Sequence, residues 1–259
     1  MRRALSILIF FLVKLQAQEP HFEFGLGIGS LYYPDYIGTK TTQTLTLPIP
    51  YVRYKSEHLN IDEDGVSSKI FGIKRLQLDL SLSGSLPASS SEESPRAGME
   101  TLELTGEIGP KILYELYYKG VSRLDFECDI RAALSTDYTS ISYRGIVMNP
   151  QLKYSLNYKH LEWTLRAGVL FNDADYNNYY YGVSKEYETV QREQYTAEGG
   201  YSGTRLRSGL TYKKLPWWGG AFISHHNING AVFESSPLIE VKEALYFGAS
   251  IAYIFYTIE

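Results

Sequence analysis

The sequence predicts an all-β fold: a transmembrane, antiparallel, up-and-down β-barrel of about 10–12 strands, with twelve preferred. Three observations support this prediction. Apolar and polar residues alternate over most of the chain, the alternating segments are longer than typical soluble strands, and the connections between them are short and long in turn. An even strand count with short turns at one end and long loops at the other is typical of bacterial outer-membrane barrels.

Composition excludes several other classes of protein. The chain has 259 residues, with 25 Lys+Arg against 29 Asp+Glu and a formal net charge of −4. This acidic balance argues against nucleic acid as a partner, because phosphate binding requires a basic surface. The mean hydropathy of −0.22 is too polar for a helical membrane protein. The single cysteine, Cys128, excludes an intramolecular disulfide and a multi-cysteine metal site.

The N-terminus has the features of a cleaved signal peptide. Two arginines precede an apolar run, Ala4–Val13, that is too short to span a bilayer. Small and apolar residues occupy the positions that a signal peptidase recognises, in Leu15-Gln16-Ala17. We therefore expect cleavage after Ala17. The predicted organisation is a signal peptide at 1–17 and a single barrel domain at 18–259, exported to the outer membrane of a Gram-negative bacterium.

The boundaries of the predicted strands follow from where the alternation starts and stops. We predict strands at 22–32, 42–54, 57–63, 66–72, 75–86, 99–117, 121–135, 143–157, 160–172, 197–212, 217–228 and 241–256. The two strands beside Asp64 could also be one bent strand and a loop, which would reduce the count.

The predicted connections alternate in length. The long or polar ones are Tyr33–Thr41, Pro87–Gly98, Thr136–Ser142, Asn172–Thr196 and Asn229–Glu240, with a tight exception at Asp62-Glu63-Asp64-Gly65. The short ones all contain lysine: Lys55-Ser56, Gly72-Ile73-Lys74, Tyr118-Lys119-Gly120, Tyr158-Lys159-His160 and Lys213-Lys214-Leu215-Pro216. Because such barrels keep short turns in the periplasm, we expect the long loops outside the cell, with the tyrosines of 172–196 available for contacts.

The alternation also places charged residues on one face of each predicted strand. A soluble sandwich with its charges facing water would alternate in the same way. Segments longer than ten residues favour the barrel, because soluble strands average about 5–6 residues and a membrane crossing takes about 9–11. The apolar face then contacts lipid and the charged face lines the lumen. The predicted lumen-lining residues are Arg75, Asp79, Glu103, Glu107, Lys111, Arg123, Asp125, Glu127, Asp129, Arg131, Lys153, Arg166, Arg205 and Arg207.

The lumen charges lead to two alternatives. Successive residues on one strand face are about 6.6–6.8 Å apart, so we expect each charge on the segment 123–131 to pair with a neighbouring strand rather than along its own. Glu103, Glu107, Lys111 and Lys153 are the expected partners. The lumen is then either a salt-bridged, hydrated support for the barrel or a pore whose charges select small solutes.

Aromatic residues gather at the ends of the predicted strands. Such rings are candidates for the girdles at the two membrane interfaces. The candidates are Tyr32, Tyr33, Tyr36, Tyr117, Tyr118, Tyr158, Tyr179, Tyr180, Tyr181, Trp217 and Trp218. In the last strand, apolar residues alternate up to Phe255, a pattern that we expect the barrel-assembly machinery to recognise.

Motifs for catalysis, cofactors and metals are weak. Gly25-Leu26-Gly27-Ile28-Gly29 lacks the following helix that a phosphate loop requires, so close packing explains its glycines better. His225 and His226 are adjacent and would point to opposite strand faces. The acidic run before Gly65 is typical of a turn. We therefore expect no enzyme activity, no cofactor and no metal site.

Several fragments resemble the MipA/OmpV family of outer-membrane proteins, named after an MltA-interacting protein. They are Pro34-Asp35-Tyr36-Ile37-Gly38, Pro48-Ile49-Pro50-Tyr51, Arg96-Ala97-Gly98-Met99, Glu107-Ile108-Gly109-Pro110, Tyr180-Tyr181-Gly182-Val183, Ser236-Pro237-Leu238 and Tyr253-Ile254-Phe255. Their order spans nearly the whole chain after residue 17. Two departures are Thr39, where the family usually has serine, and the four residues that follow Phe255.

The resemblance implies an outer-membrane barrel that acts as a scaffold between a lytic transglycosylase and a murein synthase. Other members of the family are porin-like or adhesive, so a channel for small solutes is the alternative. A barrel enzyme acting on lipid ranks last, because no convincing Ser/His pair lies near one interface. The expected surroundings are outer-membrane lipid and lipopolysaccharide.

Overall fold

The computed structural model describes residues 20–62, 65–85 and 94–258. The predicted signal peptide at 1–17, most of the tip of the Pro87–Gly98 loop, and Glu63 and Asp64 lie outside the described residues.

Twelve antiparallel strands form a closed barrel in which each strand pairs with the next in the chain and β1 pairs with β12. The predicted all-β barrel and its preferred count of twelve are confirmed. The strands are β1 (His21–Pro34), β2 (Thr42–Lys55), β3 (Leu59–Asp62), β4 (Gly65–Ile73), β5 (Leu76–Ser85), β6 (Leu104–Lys119), β7 (Ser122–Thr136), β8 (Ile141–Tyr158), β9 (Leu161–Asn172), β10 (Gly200–Lys214), β11 (Trp217–Asn227) and β12 (Glu243–Ile258).

The region around Asp64 contains two strands rather than one bent strand. Asp62 of β3 pairs with Gly65 of β4, and β4 pairs onward with β5. Both strands are short beside their neighbours, which extend to as many as 18 residues in β8.

Burial in the barrel is the reverse of that in a soluble protein. On β7, the carboxylates of Asp125, Glu127 and Asp129 belong to residues that are 4%, 1% and 2% exposed. Phe126 and Ile130 alternate with them and are 36% and 40% exposed. The apolar side chains therefore form the outer surface and the charged side chains fill the inside, as a lipid environment requires.

The glycines of β1 allow close packing against β12. A Cβ added at Gly25 or Gly27 would overlap the carbonyl oxygens of Tyr253 or Ile251. The first and last strands pair over most of their lengths, from Phe22 with Ile258 to Tyr32 with Phe247. Close packing, rather than phosphate binding, is therefore what these glycines provide.

One long connection forms a helix that the sequence did not predict. Helix α1 (Ala174–Tyr181) lies between β9 and β10, and a short 3-10 turn follows at Lys185–Tyr187. Asp173 caps the helix, because its Oδ1 accepts a hydrogen bond from the Tyr176 amide at 2.9 Å. Within the described residues, no helix has the length and hydropathy of a membrane span.

Candidate functional site

The long connections fold together over one mouth of the barrel. We call this structure the loop cap and define it as residues 35–41, 94–103, 173–199 and 228–242. It has its own hydrophobic core, separate from the strands. The buried members of that core are Tyr36, Leu102, Tyr181, Ala197, Ile228, Ala231 and Phe233.

Hydrogen bonds connect separate segments of the loop cap. The Tyr36 hydroxyl donates to the Leu238 carbonyl at 2.8 Å, and burial raises the pKa of Tyr36 to about 12. The Ser236 hydroxyl donates to the carbonyl of Tyr181 at 2.7 Å. Burial also raises the pKa of Tyr181 well above its ordinary value. The connections before β2, after β9 and before β12 are thereby held as one unit.

Two arginines join the 94–103 segment to the connection after β9. Arg96 donates from Nη1 to the Tyr180 carbonyl at 2.9 Å and from Nη2 to the Glu100 carbonyl at 3.2 Å. Arg192 donates from Nη1 to the Pro95 and Ala97 carbonyls at 2.8 and 2.9 Å. Burial lowers the pKa of the Arg96 guanidinium from its ordinary value.

Several aromatic residues do not lie in the predicted interfacial girdles. Tyr36 and Tyr181 are each 4% exposed inside the loop cap, so neither faces the membrane nor is available for outside contacts. Trp218 is 7% exposed on the inner face of the barrel. These assignments were wrong because an aromatic ring serves equally well in a packed core or at an interface. Tyr32 does lie on the outer face, where its ring stacks on Phe247 at 4.7 Å.

Charged side chains form groups of ion pairs on the inner face of β5–β8, which we call the lumen network. Lys111 Nζ lies 3.2 Å from Glu127 Oε2, and Gln151 donates to the same oxygen at 3.0 Å. Arg131 Nη1 lies 3.5 Å from Glu107 Oε2. Glu107 and Lys111 therefore contact β7 from the preceding strand, as the sequence predicted.

Pairs along a single strand contradict the expectation that only neighbouring strands supply partners. Arg123 Nε lies 2.7 Å from Asp125 Oδ2, and Arg131 Nη2 lies 2.7 Å from Asp129 Oδ1. The spacing of about 6.6–6.8 Å is the distance between backbone positions on one strand face, not the distance between the ends of the side chains. The expectation was wrong for arginine, because that long side chain bends along the strand and covers the distance.

Two of the predicted lumen residues, Arg75 and Glu103, lie outside the strands. Arg75 is exposed in the turn between β4 and β5. Glu103 precedes β6, where its Oε2 accepts from Arg144 Nη2 of β8 at 3.2 Å. A functional role for these lumen charges stays a prediction. The inner face of the barrel also carries Asp79, Lys153, Arg166, Arg205 and Arg207.

The wall of the lumen around β2, away from the charged strands β5–β8, is apolar. From the alternation we expect apolar side chains on the lipid face only, so this wall was not predicted. On β2, Leu45, Leu47 and Ile49 point inward, on the same face as Tyr51. Thr46 points outward, where its hydroxyl bonds that of Ser30 at 2.9 Å. Alternation alone cannot identify the inner face of such a strand. The pairing of β1 with β2 settles the face, because it places Gly29 opposite Leu47, and the sequence carries no signal for this register.

A compact cluster closes the apolar side of the lumen near the short turns. The rings of Tyr51 and Trp218 lie 5.4 Å apart, although β1 and β12 separate their strands. The Tyr51 hydroxyl donates to Glu23 Oε2 at 2.9 Å, and Lys213 forms an ion pair with Glu23. Glu23 itself is 1% exposed.

The balance of exposed charge differs between the two ends of the barrel. Each short turn presents an exposed lysine, and we call these lysines the basic rim: Lys55, Lys74, Lys119, Lys159 and Lys214. At the other end, exposed carboxylates are frequent, including Asp137, Asp175, Glu186, Glu188 and Glu193.

The described part of the chain contains no candidate metal site. No group of three or more His, Cys, Asp or Glu side chains there could hold a metal ion. His226 is buried on the inner face beside Ser224, at 3.2 Å, whereas His225 Nε2 lies 3.5 Å from Glu243 on the outer side. The two histidines therefore point to opposite faces, as predicted.

Comparisons with known proteins give consistent matches. A family model described as "MltA-interacting protein MipA" matches residues 26–255. Outer membrane protein Omp26La of Vibrio anguillarum is 27% identical over 212 residues, which covers 78% of this chain and 76% of that protein. Outer membrane protein OmpV of Vibrio cholerae is 27% identical over 212 residues with the same coverage of both chains.

Solved structures of barrels also match over most of the chain. The NanC porin is 7% identical with a TM-score of 0.38, covering 90% of this chain and 98% of that one. The translocator domain of the autotransporter NalP from Neisseria meningitidis is 13% identical with a TM-score of 0.39. That match covers 91% of this chain and 88% of the translocator domain.

Proposed function

Because this chain belongs to the MipA family and is an outer-membrane β-barrel protein, we propose that it is a scaffold that holds enzymes of peptidoglycan turnover at the outer membrane. The family description names an interaction with MltA, a lytic transglycosylase. A lytic transglycosylase is therefore the first partner to test, and a murein synthase the second. In this proposal the short turns face the periplasm, where both enzymes work.

The basic rim is the observation that carries the proposal. Its lysines are exposed, project from separate turns and surround one mouth of the barrel. Such a ring of like charge attracts an acidic protein surface and raises the rate of encounter. Each lysine taken singly is indistinguishable from an ordinary lysine in a solvated turn. The experiment must therefore change several lysines of the ring together.

The loop cap and the lumen network support a structural role over an open pore. The cap packs a hydrophobic core across the mouth opposite the rim. Inside, Glu127 and Arg131 each have more than one polar partner. A barrel built in this way gains rigidity from its interior, which suits a protein that presents a surface to partners.

The test is capture of a purified lytic transglycosylase by the barrel in mild detergent. We expect capture that weakens at high salt, because surface charges are screened within about 8 Å at physiological ionic strength. The variant Lys74→Glu/Lys159→Glu should weaken capture at least tenfold. The matched control, Lys40→Glu/Lys185→Glu, reverses exposed lysines at the opposite end and should leave capture unchanged.

Two outcomes would contradict the scaffold. One is no capture of either a transglycosylase or a murein synthase by the intact barrel. The other is equal loss in the rim variant and its control. In planar bilayers we expect a flat trace from the wild-type barrel, and a steady conductance would support the channel alternative instead.

A further inference from the structure

A cavity of about 430 Å³ lies along the apolar wall of the lumen. It is lined by β9–β12 together with β1 and β2, so it belongs to the barrel interior rather than to the loop cap. Its volume falls within the range of about 300–1,000 Å³ that is usual for small-molecule sites. Such sites combine a mostly apolar lining with a few polar groups that fix the orientation of a ligand.

The apolar part of the lining is exposed inside the barrel. Leu47 is 48% exposed although its side chain points into the lumen. Leu31, Leu45, Ile49 and Phe222 lie on the same wall. Apolar surface facing lumenal water is unfavourable, and water-filled barrels normally have polar interiors. An apolar ligand group that covered this wall would remove that cost.

A row of cations crosses the strands at one side of the cavity. Lys153 of β8 is in register with Arg166 of β9, and Arg166 is in register with Arg207 of β10. Like charges directly opposite one another on a sheet face destabilise it. Glu127 interacts electrostatically with Lys153 and Arg166, so part of this charge is balanced within the protein.

Arg166 and Arg207 also line the cavity, next to the apolar wall. The guanidinium carbon of Arg207 lies 4.4 Å from the centre of the Phe222 ring. The cation row and the apolar wall therefore meet at this pair of residues. The lining carries one carboxylate, that of Glu162, against these two guanidinium groups.

We propose that this cavity binds an anionic amphiphile with a single short hydrocarbon body. Its carboxylate head would bind Arg166 and Arg207, whose planar guanidinium groups match a carboxylate in two-point hydrogen bonding. Its hydrocarbon body would cover Leu45, Leu47 and Ile49. This site is independent of the scaffold proposed above, because it lies inside the barrel, whereas the scaffold uses the exposed lysines of the short turns.

Trp218 lines the cavity and serves as the reporter. The other two tryptophans, Trp163 and Trp217, lie on the outer face and would report partition into lipid. We would therefore use the Trp163→Phe/Trp217→Phe barrel in lipid nanodiscs and titrate it with ω-bromooctanoate. Binding predicts saturable quenching of Trp218, whereas partition into lipid alone predicts no saturation and overturns the proposal.

Competition identifies the head group. Octanoate should displace the brominated probe. Octylammonium should not, because it lacks the anionic head, and acetate should not, because it lacks the hydrocarbon body. Octyl phosphate shares the anionic chemistry, and a tenfold tighter competition by it than by octanoate would overturn the carboxylate assignment. Equal competition by octanol would overturn the role of the arginines.

Variants test the two halves of the cavity separately. Arg207→Gln should weaken ω-bromooctanoate binding at least tenfold, and Leu47→Asn should weaken it at least fivefold. Arg207→Lys should retain part of the affinity, because it keeps the charge and loses the planar fork. The matched control is Arg123→Gln, which removes a lumen arginine that does not line the cavity. Equal losses in Arg207→Gln and Arg123→Gln would contradict the proposal, with the folded fraction of each checked by gel mobility without boiling.

Discussion

The ring of Tyr181 stacks on the ring of Phe233, with centroids 3.8 Å apart and planes 9° apart. Tyr181 ends helix α1, and Phe233 lies in the connection between β11 and β12. Phe233 is 1% exposed. This contact therefore joins two long connections across the mouth of the barrel and holds the loop cap closed.

Replacement of Phe233 by alanine should loosen the loop cap and leave the strands paired. Removing a buried phenylalanine costs roughly 3–5 kcal/mol, and here the loss falls on the cap rather than on the barrel. We expect faster proteolytic cleavage within 182–199 in the folded barrel. The control is Val190→Ala, at a residue that is 94% exposed. Equal cleavage of Phe233→Ala and wild type would show that this stack does not hold the cap.

Loss of Lys111 should destabilise the barrel by leaving Glu127 partly uncompensated. Breaking a fully buried pair costs roughly 3–5 kcal/mol, and we expect less for Lys111→Gln because Gln151 also donates to Glu127. The measurement is the temperature at which folded barrel is lost on gels without boiling. Arg75→Ala, in an exposed turn, should not change that temperature. A hydrated lumen that tolerates Lys111→Gln without any shift would argue for an open, water-filled interior.

The outer face should reject charge more strongly than the inner face. Ile130→Arg places a cation near the middle of β7, which costs about 2–4 kcal/mol at the bilayer midplane. Ser83→Arg places the same side chain on the inner face of β5, opposite Glu107. We expect the first variant to assemble poorly and the second to assemble as wild type, measured as folded protein in outer-membrane fractions. Comparable yields from both would contradict the assignment of the faces.

The loop cap should open at alkaline pH. Burial raises the pKa of Tyr36 to about 12, and it raises the pKa values of Tyr179 and Tyr181 as well. The folded cap thus binds more protons than the open cap once the pH exceeds the ordinary tyrosine value of about 10. Its stability is complete below that value and falls as the pH rises towards 12. For Tyr36 the loss is roughly 2–3 kcal/mol.

Tyrosinate absorbance as a function of pH measures this effect. We expect an early group of ionisations and a late, cooperative group, with the late group smaller by one tyrosine in Tyr36→Phe. Cleavage within 182–199 should begin at the same pH as the late group. A single early transition for all tyrosines would show that the cap gives its phenols no protection.

The proposed orientation, with the short turns in the periplasm, predicts which connections antibodies reach. An epitope inserted after Val190 should be labelled on intact cells, because this residue is exposed in the loop cap. An epitope between Lys159 and His160, in a short turn, should be labelled only after the outer membrane is permeabilised. The reverse pattern would place the basic rim outside the cell and would remove the basis for the scaffold.

Period-two alternation was sufficient to predict much of the barrel. The family and the outer-membrane location are confirmed, although the resemblance of short fragments, and not alternation, indicated the family. The face carrying Asp125, Glu127 and Asp129 lies inside, and the closed barrel has the preferred twelve strands. Phe126 and Ile130 lie on the outer surface for the same reason. These features follow locally, because neighbouring residues on a strand must face opposite solvents.

Contacts between distant segments could not be predicted in this way. Tyr36 and Phe233 are far apart in the sequence, and neither position indicates by itself that it joins a core above the barrel mouth. The residues 174–181 form a helix although their own apolar pattern is weak, and Tyr181 at the end of the helix packs into the core of the loop cap. Leu47 was equally ambiguous, because only the pairing of β2 with β1 decides which of its faces is inside.

The sequence by itself determined the alternation along the strands and the charged face of a strand such as β7, because each depends on residues within one segment and on the surrounding lipid. It left the strand count between ten and twelve. Only the tertiary structure decided how the interior is divided. Closure of β1 onto β12 brings the leucines of β2 into the same cavity as Arg166 and Arg207. Loop packing places Tyr181 against Phe233. The cavity and the aromatic stack both bring together residues that are far apart in the chain. The number of residues between them does not predict their distance in space.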